Sequence, residues 1–278
     1  MANTAKQKVI VVGGGIGGLA AALALTRRNI QVLLLEQAAH IGEIGAGIQL
    51  GPNAFAALDA LGVGEAARKR AVFTDHCIMI EAVQHDPLIE FRTSTHVSDV
   101  KVKADGVEVI DTEGNVYRAD AVVGCDGVKS VIRAKTIGVQ HRVTGHVVYR
   151  AVVEQENMPA DLQVNAPMLW AGPRCHLVHY PLRGGKQYNL VVTFHSKEEE
   201  EWGVRDGSKE EVLSYFQGVH PRPHQMLDRP SSWKRWATAD REPVDRWSTG
   251  RVTILGDAAH PMTQYMAQGA CMAIEDAV

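Results

Sequence analysis

This sequence predicts an α/β fold in which a nucleotide-binding βαβ unit is interrupted by a long β-rich stretch, and three observations predict it. The first is the run KVIVV (Lys8–Val12), which breaks into Gly13-Gly14-Gly15-Ile16-Gly17-Gly18, continues as an alanine- and leucine-rich segment to about Arg28, and ends in a second apolar run at residues 31–36. Apolar strand patterns on either side of a helical one are the signature of parallel strands joined by a crossover helix. The second is a change of texture from Gly145 to about Trp247, where the spaced strands HVVYRAVV, RCHLVHYPL and YNLVVTFH and most of the tryptophans lie. The third is RVTILG at residues 251–256, a buried-strand pattern that returns to the first texture. Together they predict a Rossmann-like unit built from residues 1–140 and 250–278, with a β-rich unit at 141–249 inserted into it.

The remaining elements follow in order. Residues 53–61 read as a short helix capped by Asn53 and stopped by Gly62, after the glycine-rich approach IGEIGAGIQLGP. Residues 98–111 and 116–123 alternate about Asp105-Gly106 and Glu113-Gly114 as an antiparallel ribbon. KEEEE at 197–201 reads as a solvated loop edge, and a last helix of about three turns starts near Gln268. The length suits one large domain or two moderate ones, and a formal net charge of -3 argues against nucleic acid or an anionic membrane surface as partner. Cys77, Cys125, Cys175 and Cys271 are far apart and form no C-x-x-C pair, so neither a disulfide framework nor a zinc site is expected. With no cleavable signal and no bilayer-length apolar run in evidence, a cytoplasmic protein is expected.

The chemistry is carried by glycines and acids at strand ends. In the G-x-G-x-x-G spacing, Gly13, Gly15 and Gly18 allow a tight turn, close approach of a pyrophosphate, and packing of helix on strand, while the helix N-terminus favours negative charge. Glu36, ending the next strand, can accept hydrogen bonds from a ribose diol. That motif alone leaves NAD and FAD open. Asp257 separates them: it follows RVTILG at the edge where open α/β sheets bind ligands, and an acid there can hold the ribityl hydroxyls of a flavin, which a nicotinamide dinucleotide lacks. Gly256, Ala258-Ala259 and Ala267-Gln268-Gly269-Ala270 are small enough for the main chain to approach a ring system.

With these residues in place, the sequence resembles the class A flavoprotein monooxygenases, the single-component FAD-dependent aromatic hydroxylases. GGGIGG with Glu36, then CDGVKSVIR, then LGDAAHP match that family in order. The resemblance implies the GR2-type, para-hydroxybenzoate-hydroxylase-like FAD-binding domain with a β-rich substrate domain. It associates Asp126, Gly127, Ser130 and Arg133 with FAD and the reduced nicotinamide, and Gly256, Asp257, Gln268 and Gly269 with the flavin. GEIGAGIQLGPNA, GPRCHLVHYPLRGG and HPMTQYMAQGA are most similar to 3-hydroxybenzoate 6-hydroxylases, with salicylate hydroxylases as the nearest relatives. The implied reaction uses NADH or NADPH to reduce FAD and O2 to form a flavin hydroperoxide, whose distal oxygen attacks a phenolic acid para to its hydroxyl, turning 3-hydroxybenzoate into gentisate. His176 matches a position that takes the phenol proton, with an ordinary pKa suited to that task. Gln264, beside Tyr265, matches a second substrate-contacting position. By alternation Val178 and Tyr180 share the His176 side of their strand, and His179 faces away. His260 is expected to shape the flavin loop and Arg183 to be exposed.

The chain departs from this family twice. Relatives carry a crossover helix, opening with an arginine that contacts FAD, between a hairpin at residues 77–83 and the strand LIEFR; here only residues 82–87, AVQHDP, join them. A parallel crossover takes a dozen residues or more, so a deletion is expected and no residue inherits the arginine's role. Relatives also continue past the last helix into helices that cover the site and often form a homodimer contact, so Met272 and Ile274 are expected to lack cover. Three alternatives stay open: a shortened, non-catalytic relative with weak flavin affinity or none, a salicylate hydroxylase-like specificity, and an NAD-dependent dehydrogenase that leaves Asp126 and Asp257 unexplained.

Overall fold

The computed structural model describes residues 7–40, 47–69, 86–138 and 141–278. Strands β1 (Lys8–Val12) and β2 (Gln31–Leu35) flank helix α1 (Ile16–Thr26), and α2 (Pro52–Ala60) and α3 (Gly64–Lys69) precede β3 (Ile89–Arg92). β1 and β2 carry apolar residues without alternation, as strands covered on both faces require, and pair in parallel from Val9↔Val32 to Val12↔Leu35. An antiparallel sheet of β4 (Val97–Val102), β5 (Val107–Asp111) and β6 (Val116–Ala119) is the expected ribbon, but it stops short. The chain breaks at Asp120, which accepts a hydrogen bond from the Lys8 N–H (2.8 Å), and β7 (Ala121–Gly124) pairs in parallel with β1 instead. The continuous apolar run AVVG belongs to a buried parallel strand, which alternation does not describe.

After α4 (Val131–Thr136), the strands β8 (Arg142–Glu154), β9 (Met168–Gly172), β10 (Cys175–Leu182), β11 (Gln187–His195), β12 (Val204–Gly207) and β13 (Trp233–Asp240) form an antiparallel sheet in the order β12-β13-β8-β11-β10-β9. Helices α5 (Lys209–Tyr215) and α6 (Pro221–Leu227) cover one face, burying Val212, Phe216, Met226 and Leu227 against Val147, Tyr149, Leu190 and Val192. The other face is left for the site. β14 (Ser248–Thr249) and β15 (Val252–Ile254) return to the first sheet, whose order is β14-β15-β7-β1-β2-β3, and α7 (Gly269–Glu275) follows.

Four expectations are corrected. Asn53 does not cap α2: Gly51 precedes the helix, and the Asn53 amide donates to Gln268 Oε1 (2.9 Å) and Glu275 Oε2 (2.7 Å), tying α2 to α7. The charged run at 197–201 is not wholly solvated, because Glu200 turns inward to a buried, two-pronged ion pair with Arg235. Removing one partner from such a buried pair strands the other charge and costs about 3–5 kcal/mol. The last helix has seven residues rather than three turns. Ile274 does not lack cover, being 1% exposed within the cluster formed by α1, α2 and β1. The link at 82–87 lies, through residue 85, outside the described residues, as does Cys77.

Candidate active site

β1, β2, β7 and β15 run parallel, so the loops that follow them meet at one edge of the sheet. After β1, a Cβ on Gly13 (φ +102°) would collide with the Cys125 carbonyl, and one on Gly18 would collide with the Gly13 carbonyl. Only glycine keeps this turn tight and α1 pressed on the strand. Gly15 is different: nothing lies within 4 Å of where its Cβ would be, and it lines a cleft of about 530 Å³. There α1 starts with no side-chain cap and no acid in its first turn, leaving free N–H groups and a positive dipole end. Past β2, Glu36 stands beside the glycine turn and accepts from the Gly14 N–H (2.5 Å) and the Ala38 N–H (2.7 Å).

Past β7, Asp126 is occupied by the protein itself. One oxygen accepts from Ser130 Oγ (2.5 Å) and the other from the N–H groups of Val131 (2.7 Å) and Ile132 (3.1 Å), so the carboxylate caps α4. Burial pushes its pKa up, against the hydrogen bond from Ser130. Arg133, fully buried, donates through Nη1 to the carbonyls of Ala258 (3.1 Å) and Ala259 (2.8 Å), which staples this motif to the loop after β15. Gly127 lines the cleft. In the loop after β15, Gly256 and Asp257 also line it. The Asp257 carboxylate has no hydrogen-bond partner among the described residues; solvent reaches it, yet protein surrounds it, and that desolvation raises its pKa against the opposing pull of His260. His260 is held by Asp276 (2.6 Å), which also accepts from the Gly256 N–H (2.8 Å), so it fastens this loop to the end of α7. Gly269 lines the cleft, whereas the Gln268 side chain turns toward Asn53 in an adjoining groove.

The far wall is the open face of the second sheet. β10 presents His176, Val178 and Tyr180 to the cleft, and the loop before α7 adds Gln264 and Tyr265. The His176 ring has no hydrogen-bond partner among the described residues; burial, and secondarily the nearby His146, lower its pKa, which leaves it a neutral base at neutral pH. Gln264 donates to Thr193 Oγ1 (2.9 Å), and its Oε1 is a buried acceptor without a partner among the described residues. Asn189 donates to Tyr180 Oη (2.6 Å), and Tyr265 Oη meets His146 Nδ1 (2.6 Å). His179 faces the core, bonded to Trp170 Nε1 (3.1 Å) and the Leu162 carbonyl (3.2 Å), and Arg183 is exposed.

Sequence reasoning missed Arg150, which lines the cleft from β8, and the buried pair Asn189 and Thr193, which support Tyr180 and Gln264. Alternation along β8 and β11 was the available signal, but it names a face only once the pairing of strands is known. The residues present fit FAD: an uncapped helix start beside an open glycine receives a pyrophosphate, and Asp257 is an acceptor left over for hydroxyls.

Fold and cleft define a dinucleotide-binding α/β protein whose ligand groove runs onto the face of an antiparallel sheet. A family model described as an FAD binding domain matches residues 74–278, and one described as an NAD(P)-binding Rossmann-like domain matches residues 11–58. The chain belongs to the FAD-binding monooxygenase family of aromatic hydroxylases. It is 60% identical over 310 residues to a 3-hydroxybenzoate 6-hydroxylase of Klebsiella oxytoca, covering 98% of this chain and 78% of the relative. With a 3-hydroxybenzoate 6-hydroxylase of Polaromonas naphthalenivorans it shares 55% over 314 residues, covering 99% and 78%. A solved salicylate hydroxylase substrate complex superposes with a TM-score of 0.84 at 25% identity, covering 99% of this chain and 78% of that one. The 310 matched positions in the Klebsiella relative exceed the 278 residues here, so at least 32 of them have no counterpart in this chain.

Proposed function

We propose that the chain hydroxylates 3-hydroxybenzoate para to its phenol, giving gentisate, with NADH or NADPH and O2 as co-substrates. The balance is one aromatic acid, one NAD(P)H, one proton and one O2 giving one gentisate, one NAD(P)+ and one water. The observation that carries this reading is the continuity of a single cleft from Gly15 and the start of α1, past Asp257, to the unpartnered base His176 and acceptor Gln264. The named 3-hydroxybenzoate 6-hydroxylase relatives support the choice of substrate.

In this reading residues 1–140 with 250–278 form the flavin domain and 141–249 the substrate domain. The chemistry supplied by bound FAD is passage of reducing equivalents from the nicotinamide to dioxygen and delivery of one oxygen atom to the ring. Gly15 and the N-terminus of α1 hold its pyrophosphate, Glu36 a ribose, and Asp257 the hydroxylated chain, while Gly127, Gly256 and Gly269 let the main chain lie close. Asp126 and Arg133 brace these loops. His176 accepts the phenol proton at an imidazole nitrogen, which pushes electron density toward the para carbon, and Gln264, held by Thr193, lines the same end of the pocket. Tyr180 and Tyr265 wall the ring against water. A cytoplasmic location, where the reduced nicotinamide is available, accompanies this reading.

The 32 or more missing positions favour a second reading, in which flavin binds without turnover. One experiment separates them: record the flavin-to-protein ratio from the visible spectrum after dialysis, then NADH oxidation and gentisate formation with 3-hydroxybenzoate. A yellow, near-stoichiometric protein that forms gentisate supports the first reading. A yellow protein that forms none supports the second.

A further inference from the structure

We infer that Arg150 holds the carboxylate of the substrate and so makes this site select aromatic acids over neutral phenols; the inference rests on the hydroxylase reading above. Residues paired across antiparallel strands share a face of the sheet. Val178 of β10 pairs with Val191 of β11, and Val191 pairs with Arg150 of β8, so Arg150 stands on the His176 face, two strands away and roughly 10 Å across. Both residues line the same cleft.

Among the described residues lining that cleft, Arg150 and Asp257 are the formally charged ones, so Arg150 is its single permanent cation. It makes no ion pair among the described residues. Its guanidinium lies over the ring of Trp236, 5.8 Å from the centroid, a contact that orients the planar fork without neutralising it. A guanidinium that makes no ion pair among the described residues is matched to a carboxylate, which it can meet with two parallel hydrogen bonds. A ring seated on Val178 and Val191 directs a hydroxyl toward His176 and Gln264 and leaves a meta carboxylate on the Arg150 side.

The test is binding without turnover. Isothermal calorimetry on the FAD-loaded protein, with no nicotinamide present, compares 3-hydroxybenzoate with its neutral isostere 3-hydroxybenzamide in wild type, Arg150→Lys and Arg150→Gln. Arg150→Gln is expected to lose about tenfold to a hundredfold in affinity for the acid while holding the amide within a few-fold, and Arg150→Lys to keep most of the preference. The acid-to-amide ratio is read on one preparation, so a partly unfolded variant does not change it. An Arg150→Gln protein with the wild-type ratio overturns the assignment and leaves the hydroxylase reading standing. A wild type that holds FAD and binds neither compound overturns both.

Discussion

His176 illustrates how far a single residue reaches. Its ring is half-buried and unbonded among the described residues, and burial with the adjacent His146 depresses its pKa. The neutral form, the only one able to take a proton, is present above that depressed pKa and is lost as pH falls through it. The rate of gentisate formation is therefore expected to show an acid limb below about pH 6.5, and His176→Ala to lower it by roughly a hundredfold or more with flavin content unchanged. Stopped-flow and steady-state rates across pH check both, and a variant hydroxylating at the wild-type rate removes the assignment. His176 was legible through the family resemblance, and Tyr180 through its even spacing from His176 on one strand. Arg150 was not, because its place beside them depends on the register of two further strand pairs. Asp126 was legible as a motif residue, but nothing in the motif says that its hydrogen bonds go to the start of α4.

At the scale of elements, the loop after β15 is held from two sides, by Arg133 on its carbonyls and by Asp276 on His260. Burial opposes the charging of His260, but the hydrogen bond and charge of Asp276 outweigh it, so its pKa is raised. A raised folded-state pKa adds stability that is fully present below the unfolded value, near 6.5, and is lost as pH climbs through the folded value. Asp276→Asn keeps an acceptor for the Gly256 N–H and removes the charge. It is expected to lower Tm by roughly 2–4 °C near pH 6, for a loss of about 1 kcal/mol, and by less at pH 9. Differential scanning calorimetry of both proteins at the two pH values checks this, and an equal deficit at both would show that charge is not the reason. The sequence reading placed the start of the last helix correctly but not its length, and it took Asn53 for a cap when the residue instead ties α2 to α7. Cap preference is a local rule, and here α2 starts one residue earlier, at Pro52, so Asn53 lies inside the helix.

At the scale of the whole molecule, a ligand that binds only the folded chain stabilises it by mass action. The cleft is built from loops of the first sheet and one face of the second, so it exists only when both are formed. FAD at a hundred times its Kd is expected to add about 2.7 kcal/mol and to raise Tm by roughly 5–10 °C, with Asp257→Ala needing more FAD for the same rise. A melting temperature indifferent to FAD would mean that the dinucleotide-binding loops persist without holding the cofactor. The identity with a 3-hydroxybenzoate 6-hydroxylase spans nearly the whole chain and the FAD binding domain model spans residues 74–278, although at least 32 positions of the Klebsiella relative have no counterpart. By itself the sequence determined the α/β unit, its glycine turn and the acids at the strand ends, because each is written in contiguous residues whose spacing obeys a local rule, and three such motifs in order carried the resemblance to the family. Only the tertiary structure decided that β7 leaves the ribbon for the first sheet, that Glu200 is buried, and that Arg150, His176 and Asp257 share one cleft. Those facts depend on strand order and register, which bring together residues far apart in the chain, as where Val252 of β15 pairs with Val122 of β7, and which no local window contains.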